Sequence, residues 1–307
     1  MKINKGILYM IGSGICFMFV NFFVKILTNG TPNSTLPVYS IYPIHELVLF
    51  RSIISFSISA FILKRKNLPI IGSNKKWLLI RGTAGMIALT LFFYTIHKLP
   101  IAISSTLQYL APIFTLLFAT VWLKEKIKWL QWMCIVIALS GVFIIGIGKN
   151  TTENIDVLHS LSNFKWIIIG VISAVFSGLA YVSVVKLKTT EQPLHVVIAF
   201  PMISLPVMAI WTCFDFVIPI GIEWIYLILL GVFTQIAQVF MTKAFMFGDV
   251  AIVSPFQYLG SIYAIFVGAF LFNEILPFSS LSGIFLILAG VLLNIVVKHY
   301  NFKKVNA

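Results

Sequence analysis

Charge is what this 307-residue chain has least of: 10% of its residues are Asp, Glu, Lys or Arg, where a soluble globular chain carries about a quarter. Acids are the scarcer sign, nine against 22 Lys and Arg. A chain so poor in charge, and 60% hydrophobic, has more apolar surface than one core can hide. That excludes a water-soluble globule and places the chain in a lipid bilayer. Cysteine is nearly missing too. Cys16, Cys134 and Cys213 each lie in or beside an apolar run and share no metal-ligand spacing, so they read as small packing residues. The chain also lacks a His-Glu-x-x-His segment, a phosphate loop, a Cys/His cluster and a convincing Ser-His-acid set. Those absences leave no catalytic residue, no metal site and no cofactor to assign. The net charge of +13 does not point to nucleic acid, because the basic residues sit between apolar segments rather than along one face.

Long apolar runs are what the sequence does have. A helix needs about 20 apolar residues to cross the hydrocarbon, and only helices or closed barrels satisfy their backbone groups there. Ten runs reach that length: residues 5–27, 44–63, 77–97, 101–123, 129–148, 166–187, 194–213, 223–246, 250–272 and 278–298. They are too continuous for barrel strands, which alternate over about ten residues. The first follows Lys2 and Lys5 but runs on to Leu27 without a small-residue cleavage site, so it reads as a retained helix rather than a signal peptide. Of the 22 cations, sixteen lie at the N-terminus, in or beside loops after even-numbered spans, or at the C-terminus. Three (Lys98, Lys149 and Lys165) lie in the opposite loops, and Lys25, Arg51 and Arg81 fall within spans. The bias predicts a multi-pass protein of the cytoplasmic membrane with both termini cytoplasmic.

The chain repeats itself. At an offset of 149 residues, Gln108, Tyr109, Glu125, Gly141 and Lys149 meet Gln257, Tyr258, Glu274, Gly290 and Lys298 without a gap. Upstream, Pro43, His45 and Phe50 meet Pro193, His195 and Phe200 at an offset of 150, and Lys25 falls on Lys186 once the longer first loop is allowed for. Five spans per half is an odd number, so the second half enters the membrane upside down. The predicted fold is an all-α integral membrane protein of ten transmembrane helices in two five-helix inverted-topology repeats. The first repeat covers 1–149, an extracytoplasmic connector 150–165, the second repeat 166–298 and a cytoplasmic tail 299–307.

The stretch from Ala111 to Gly146, with proline in the fourth span, glutamate at its end and a glycine-containing fifth span, returns as the segment from Phe272 to Leu293. In this five-plus-five arrangement the chain resembles the EamA-like branch of the drug/metabolite transporter superfamily over essentially its whole length. One position departs from the symmetry: Ser261 stands where the first half has Pro112, with Pro255 six residues earlier. The resemblance implies a secondary transporter, with spans one, three, four, six, eight and nine around a central cavity.

Polar residues within spans are the candidates for that cavity, since an ionised group at mid-helix costs about 3 kcal/mol or more and has to pair, snorkel or line water. Arg51 lies about 10 Å inside span two, and either pairs with Glu46 or faces solute. Arg81 and Lys243 are near enough to the inner face, and Lys25 to the outer, to snorkel. Gln108 and Tyr109 lie about as deep from one side as Gln257 and Tyr258 from the other. Pro112 offers no N–H to the Gln108 carbonyl; Pro201 and Pro206 are expected to interrupt span seven. Asn21, Tyr94, Tyr181, Gln235 and Gln238 complete the candidate solute-binding set, though glutamine and asparagine also serve as helix–helix glue. Glu46 is the candidate coupling residue. Glu125, Glu191, Asp249 and Glu274, at helix ends and in loops, are expected to cap backbone N–H groups.

The function these residues predict is alternating-access transport of a small polar metabolite, amino-acid-like, nucleoside-like or nucleotide-derived, by a monomer or homodimer in the bilayer. With no acid deep in span one, and with Arg51 within span two, a zwitterionic or anionic solute is favoured over a lipophilic cation. The alternatives from other classes are an integral-membrane enzyme and a passive channel.

Overall fold

Where lipid offers no partner for N–H and C=O groups, an apolar chain closes its backbone bonds within helices, and among the described residues there is no strand. The computed structural model describes residues 5–30, 40–122, 129–147, 157–247, 256, 259–274 and 276–305. Its helices are α1 (Lys5–Asn29), α2 (Ile44–Arg65), α3 (Lys75–Lys98), α4 (Ile101–Gln108), α5 (Ala111–Trp122), α6 (Trp129–Ile147), α7 (Val157–Leu187), α8 (Pro193–Thr212), α9 (Glu223–Phe247), α10 (Leu259–Phe272) and α11 (Phe278–Val305). Among the described residues seven segments are long and apolar enough to cross a membrane: α1, α2, α3, α4 with α5, α7 from Phe164, α8 and α9. Shorter apolar segments lie in α6, α10 and α11.

Four boundaries differ from the sequence expectation. Span four is two helices: its backbone tightens where Tyr109 N–H bonds to Thr106 O at 3.0 Å and Leu110 N–H to Leu107 O at 3.1 Å. It restarts at Ala111 because Pro112 cannot donate to the turn below. Helix α7 begins at Val157, inside the expected connector, and α11 continues to Val305, through most of the expected tail. Conversely, α8 runs through Pro201 and Pro206 without a break. Packed neighbours support a helix that lacks two of its own N–H donors.

The helices pair along their lengths as α1 with α9, α3 with α7, α2 with α8 and α6 with α11. Small residues and hydroxyls make these approaches close, which is how helices associate where lipid is as apolar as leucine. Ser13 Oγ donates to Ala237 O at 2.9 Å, joining α1 to α9, and Ser173 Oγ lies 2.7 Å from Ala88 O, joining α7 to α3. Ser52 and Ser204 meet at 2.7 Å between α2 and α8. On α6, Cys134, Ala138 and Ile145 are buried, while Trp129, Trp132, Val136 and Phe143 are exposed to the apolar surroundings. Gly141 sits at the α6–α11 contact: a side-chain carbon there would lie 2.6 Å from Gly283 O and 2.8 Å from Ile287.

The N-terminal ends of α2 and α8 are held in the same way. At α2, Glu46 accepts from Val217 N–H at 3.0 Å and His45 Nε2 donates to Asp215 O at 3.1 Å, both in the loop after α8. At α8, Glu191 accepts from Asn74 N–H at 2.6 Å and Ser73 Oγ at 2.8 Å, while His195 Nε2 donates to Pro69 O at 2.9 Å, all in the loop after α2. His195 Nδ1 lies 2.9 Å from Glu191 Oε2. Glu223 forms a third tie, accepting from Tyr42 Oη at 2.5 Å and from Ser40 N–H and Ile220 N–H, each at 2.9 Å.

Two predictions follow from this packing. Burial alone would raise the Glu191 carboxyl, but the bonds from Asn74, Ser73 and His195 outweigh it and hold the group below its ordinary value. Its stabilisation is therefore full above the ordinary carboxylate value of about 4.3 and is lost as pH falls through the lowered native one. Glu191→Gln is expected to lower the melting temperature in detergent at pH 7, by a gap that closes as pH drops below about 4; a gap of constant size from neutral to acid pH contradicts the tie. Gly141→Leu is expected to destabilise by about 1–3 kcal/mol through overpacking, while Phe143→Leu on the exposed face of α6 leaves the melting temperature near that of the unchanged protein.

Candidate functional site

Between the helices lies a cavity lined, among the described residues, from α1, α3, α4, α5, α7, α8, α9 and α10. Among the described residues, none from α2, α6 or α11 lines it. The walls are largely aromatic and aliphatic, with polar groups at a few points, the usual make-up of a small-molecule site.

Of the candidate residues, Asn21, Gln108, Tyr109, Tyr181 and Gln238 line this cavity. Asn21 Nδ2 donates to Ser105 Oγ at 3.3 Å across α1 and α4, and its Oδ1 is buried without a partner. Gln108 ends α4, where the chain breaks. Its Nε2 donates to Ser177 Oγ, and Ser173 Oγ lies 3.1 Å from its Oε1. The amide is thus clamped against α7 at the break. The Tyr109 hydroxyl lies so close over Gly260 that no side chain would fit there, which brings α10 against the gap between α4 and α5. Tyr181 lies 5.7 Å, centroid to centroid, from the Phe245 ring.

Other candidates lie elsewhere. Arg51 does not line the cavity: its guanidinium sits 4.6 Å from the Phe200 centroid and 5.9 Å from that of Phe93, behind rings that do line it. It forms no ion pair with Glu46, whose Oε2 is taken by Val217 N–H and whose Oε1 is buried without a partner. A guanidinium over ring faces gains cation–π attraction instead. Tyr94 stacks on Trp166 at 6.5 Å, outside the lining set. Gln235 bolts α9 to α2, accepting from Ser55 Oγ and donating to Ser59 Oγ at 2.8 Å. Gln257 and Tyr258 lie outside the described residues, as do Glu125 and Asp249.

Sequence reasoning missed Arg81. Expected to snorkel, it is instead 3% exposed and lines the cavity. Its Nη2 donates to Gln238 Oε1 at 3.2 Å, its Nε has no partner, and its Nη1 occupies the space over Gly85 one turn along α3. The signal available in the sequence was the glycine four residues on, which lets the long side chain lie down against its own helix. It missed equally the ion pair at the other end of the cavity. Lys25 Nζ lies 3.1 Å from Glu274 Oε1 and donates to Ile96 O and Leu99 O at 3.1 and 2.9 Å, while Glu274 Oε2 accepts from Ile101 N–H at 2.8 Å. Glu274 thus caps α4 and neutralises a lysine of α1 at once. Ile26, Ile101, Ala264, Val267 and Phe272 pack together in the same region. Among the described residues no group of three His, Cys, Asp or Glu could hold a metal ion.

This architecture has counterparts among known proteins. A solved crystal structure superposes with a TM-score of 0.62 over 95% of this chain and 96% of its own, at 15% identity, a likeness of fold. The chain is similar to the pseudopaline exporter of Pseudomonas aeruginosa, 26% identical over 287 residues and 92% of each chain. It is also similar to the S-adenosylmethionine uptake transporter of Rickettsia prowazekii, 25% identical over 215 residues and 69% of each chain. The model of the EamA-like transporter family matches twice, over residues 4–147 and 164–296. By that match, over nearly its whole length, the chain belongs to the EamA-like transporter family of multi-pass membrane proteins.

Proposed function

We propose that the chain is a ten-span secondary transporter that carries a small polar metabolite across the cytoplasmic membrane by alternating access between two inverted five-helix repeats, residues 1–149 and 166–298, with both termini cytoplasmic. The observation that carries this reading is the exchange pattern of the helix pairs. With spans six to ten taken as the second copy of spans one to five, α1 against α9 and α3 against α7 are one contact made twice, while α2 against α8 and α6 against α11 are self-matched. The double family match and the 149-residue sequence offset support the same division. Inverted repeats around a midplane site supply two conformations of similar energy, one open to each side. The relatives named above export one small metabolite and take up another, which supports a metabolite solute.

Lys25 meets Glu274 beside the cavity residues Ile101, Ala264 and Val267, at what positive-inside orientation makes the outer end, and we read the pair as the latch that closes it. Opening it means separating this pair, and the carboxylate bond to α4 ties that movement to the helix ending at Gln108. Glu274→Gln leaves a mostly buried ammonium without its counter-charge, a change worth about 3–5 kcal/mol where a buried pair is broken. Lys25→Met with Glu274→Leu removes both charges and is expected to restore thermal stability while transport stays impaired. Full recovery of transport in the double variant contradicts a latch.

The carrier reading itself is tested in proteoliposomes with a solute found by thermal stabilisation. Flux that saturates and shows counterflow is the expected result. Flux that rises linearly with solute concentration, without counterflow, contradicts it and indicates a channel.

A further inference from the structure

Resting on the carrier reading, we infer that Arg81 is the anchor for a carboxylate on the solute, and that the cavity takes organic acids or zwitterions with a flat apolar body rather than cations. Arg81 is the single charged residue among the described residues lining the cavity, and among the described residues no acid pairs with it. The two ion pairs among the described residues are Lys25–Glu274 and His195–Glu191. Glu46 and Glu223 are committed to loop N–H groups, and Asp215 is exposed. The guanidinium is 3% exposed, with one bond to the neutral amide of Gln238 and a buried Nε left over. A lone cation at this depth is costly unless water or an anion meets it. A guanidinium presents a planar fork that fits a carboxylate bidentately.

The setting supports the same chemistry. Gly85 leaves room for Nη1 along α3, so the fork is held down rather than extended toward the membrane surface. Phe200 lies against Gly85 and carries Arg51 on its outer face, which puts a second positive charge behind the wall. With two cations here and no carboxylate among the described residues that line the cavity, the local field repels cationic solutes and attracts anionic ones. Phe17, Phe92, Phe93 and Tyr181 supply the apolar surface for the rest of the molecule.

The test uses the full-length protein in nanodiscs and in proteoliposomes, with probes in matched pairs: tryptophan with tryptamine, and S-adenosylmethionine with its decarboxylated form. Binding is read by thermal shift, and transport by counterflow. The expected result is that at least one carboxylate-bearing member binds about tenfold to a hundredfold more tightly than its mate. Arg81→Gln brings that ratio to about one. Arg81→Lys restores part of it, because charge returns without the fork. Gly85→Ala, which keeps the charge but displaces the guanidinium, lowers the ratio as well, and carries the comparison if Arg81→Gln does not fold. No carboxylate preference in any pair, or a preference that survives both Arg81→Gln and Gly85→Ala, overturns the assignment. Carboxylate-dependent binding without counterflow supports this site and counts against the carrier reading. Counterflow without carboxylate dependence does the reverse.

Discussion

A polar group inside an apolar helix bundle has to find its partner within the bundle, because lipid supplies none. That constraint accounts for most of what is ordered here. Serine hydroxyls bond to carbonyls of the helix alongside, Gln235 is taken up by two serines of α2, and Glu46, Glu191 and Glu223 are taken up by loop N–H groups at the helix ends. Where the constraint is met, the contacts hold helices together. Where it is not, groups are left without a partner both at the cavity, as Asn21 Oδ1 and Arg81 Nε, and away from it, as Glu46 Oε1 and Arg51 Nε and Nη1. Asn21 and Arg81 differ from the others in lining a cavity, where a ligand can reach them.

The same constraint explains how the bundle can hold and still move. The tight seams lie where small residues meet, as at Gly141 and Gly283, on helices α6 and α11, none of whose described residues lines the cavity. Around the cavity, span four is broken at Tyr109 and Leu110. A broken helix is tolerated at membrane depth where it faces protein or a wet cavity. Its first piece, α4, is short and is held at its start by the carboxylate of Glu274. Closure of one end of the cavity therefore reaches, through eight residues of helix, the amide of Gln108 at the other end of that piece.

Much of this was legible in the sequence. Apolar run lengths located α1, α2, α3, α8 and α9 to within about two residues at either end; the repeat offset aligned Gly141 with Gly290, but the glycine that Gly141 meets on α11 is Gly283. Which face of a helix carries function was not legible. A helix apolar on all sides has no stripe to give its orientation, so Gln235 and Gln238, three residues apart on α9, looked equivalent; one is a bolt to α2 and the other lines the cavity. Arg51 looked the better candidate because it lay deeper in its span, but two ring faces claim it, while Arg81 reaches the cavity by lying over Gly85. Lys25 and Glu274 are far apart in sequence and separated by eight spans, and no local pattern couples them. The α7 start at Val157 escaped notice because hydropathy length rules find the part of a helix in lipid, not its polar extension.

The central claim is that one cavity faces alternate sides of the membrane. Its most direct test is cysteine accessibility in a background without Cys16, Cys134 and Cys213, using Gly14→Cys, where a side chain meets nothing within 4 Å, and Val267→Cys, beside the closed end. The account predicts that a membrane-impermeant thiol reagent labels position 14 from the cytoplasmic side and leaves position 267 unlabelled from the outside. Adding transported solute should lower the first reactivity and raise the second. Both positions reacting at once from both sides without solute, or neither changing when solute is added, would contradict it.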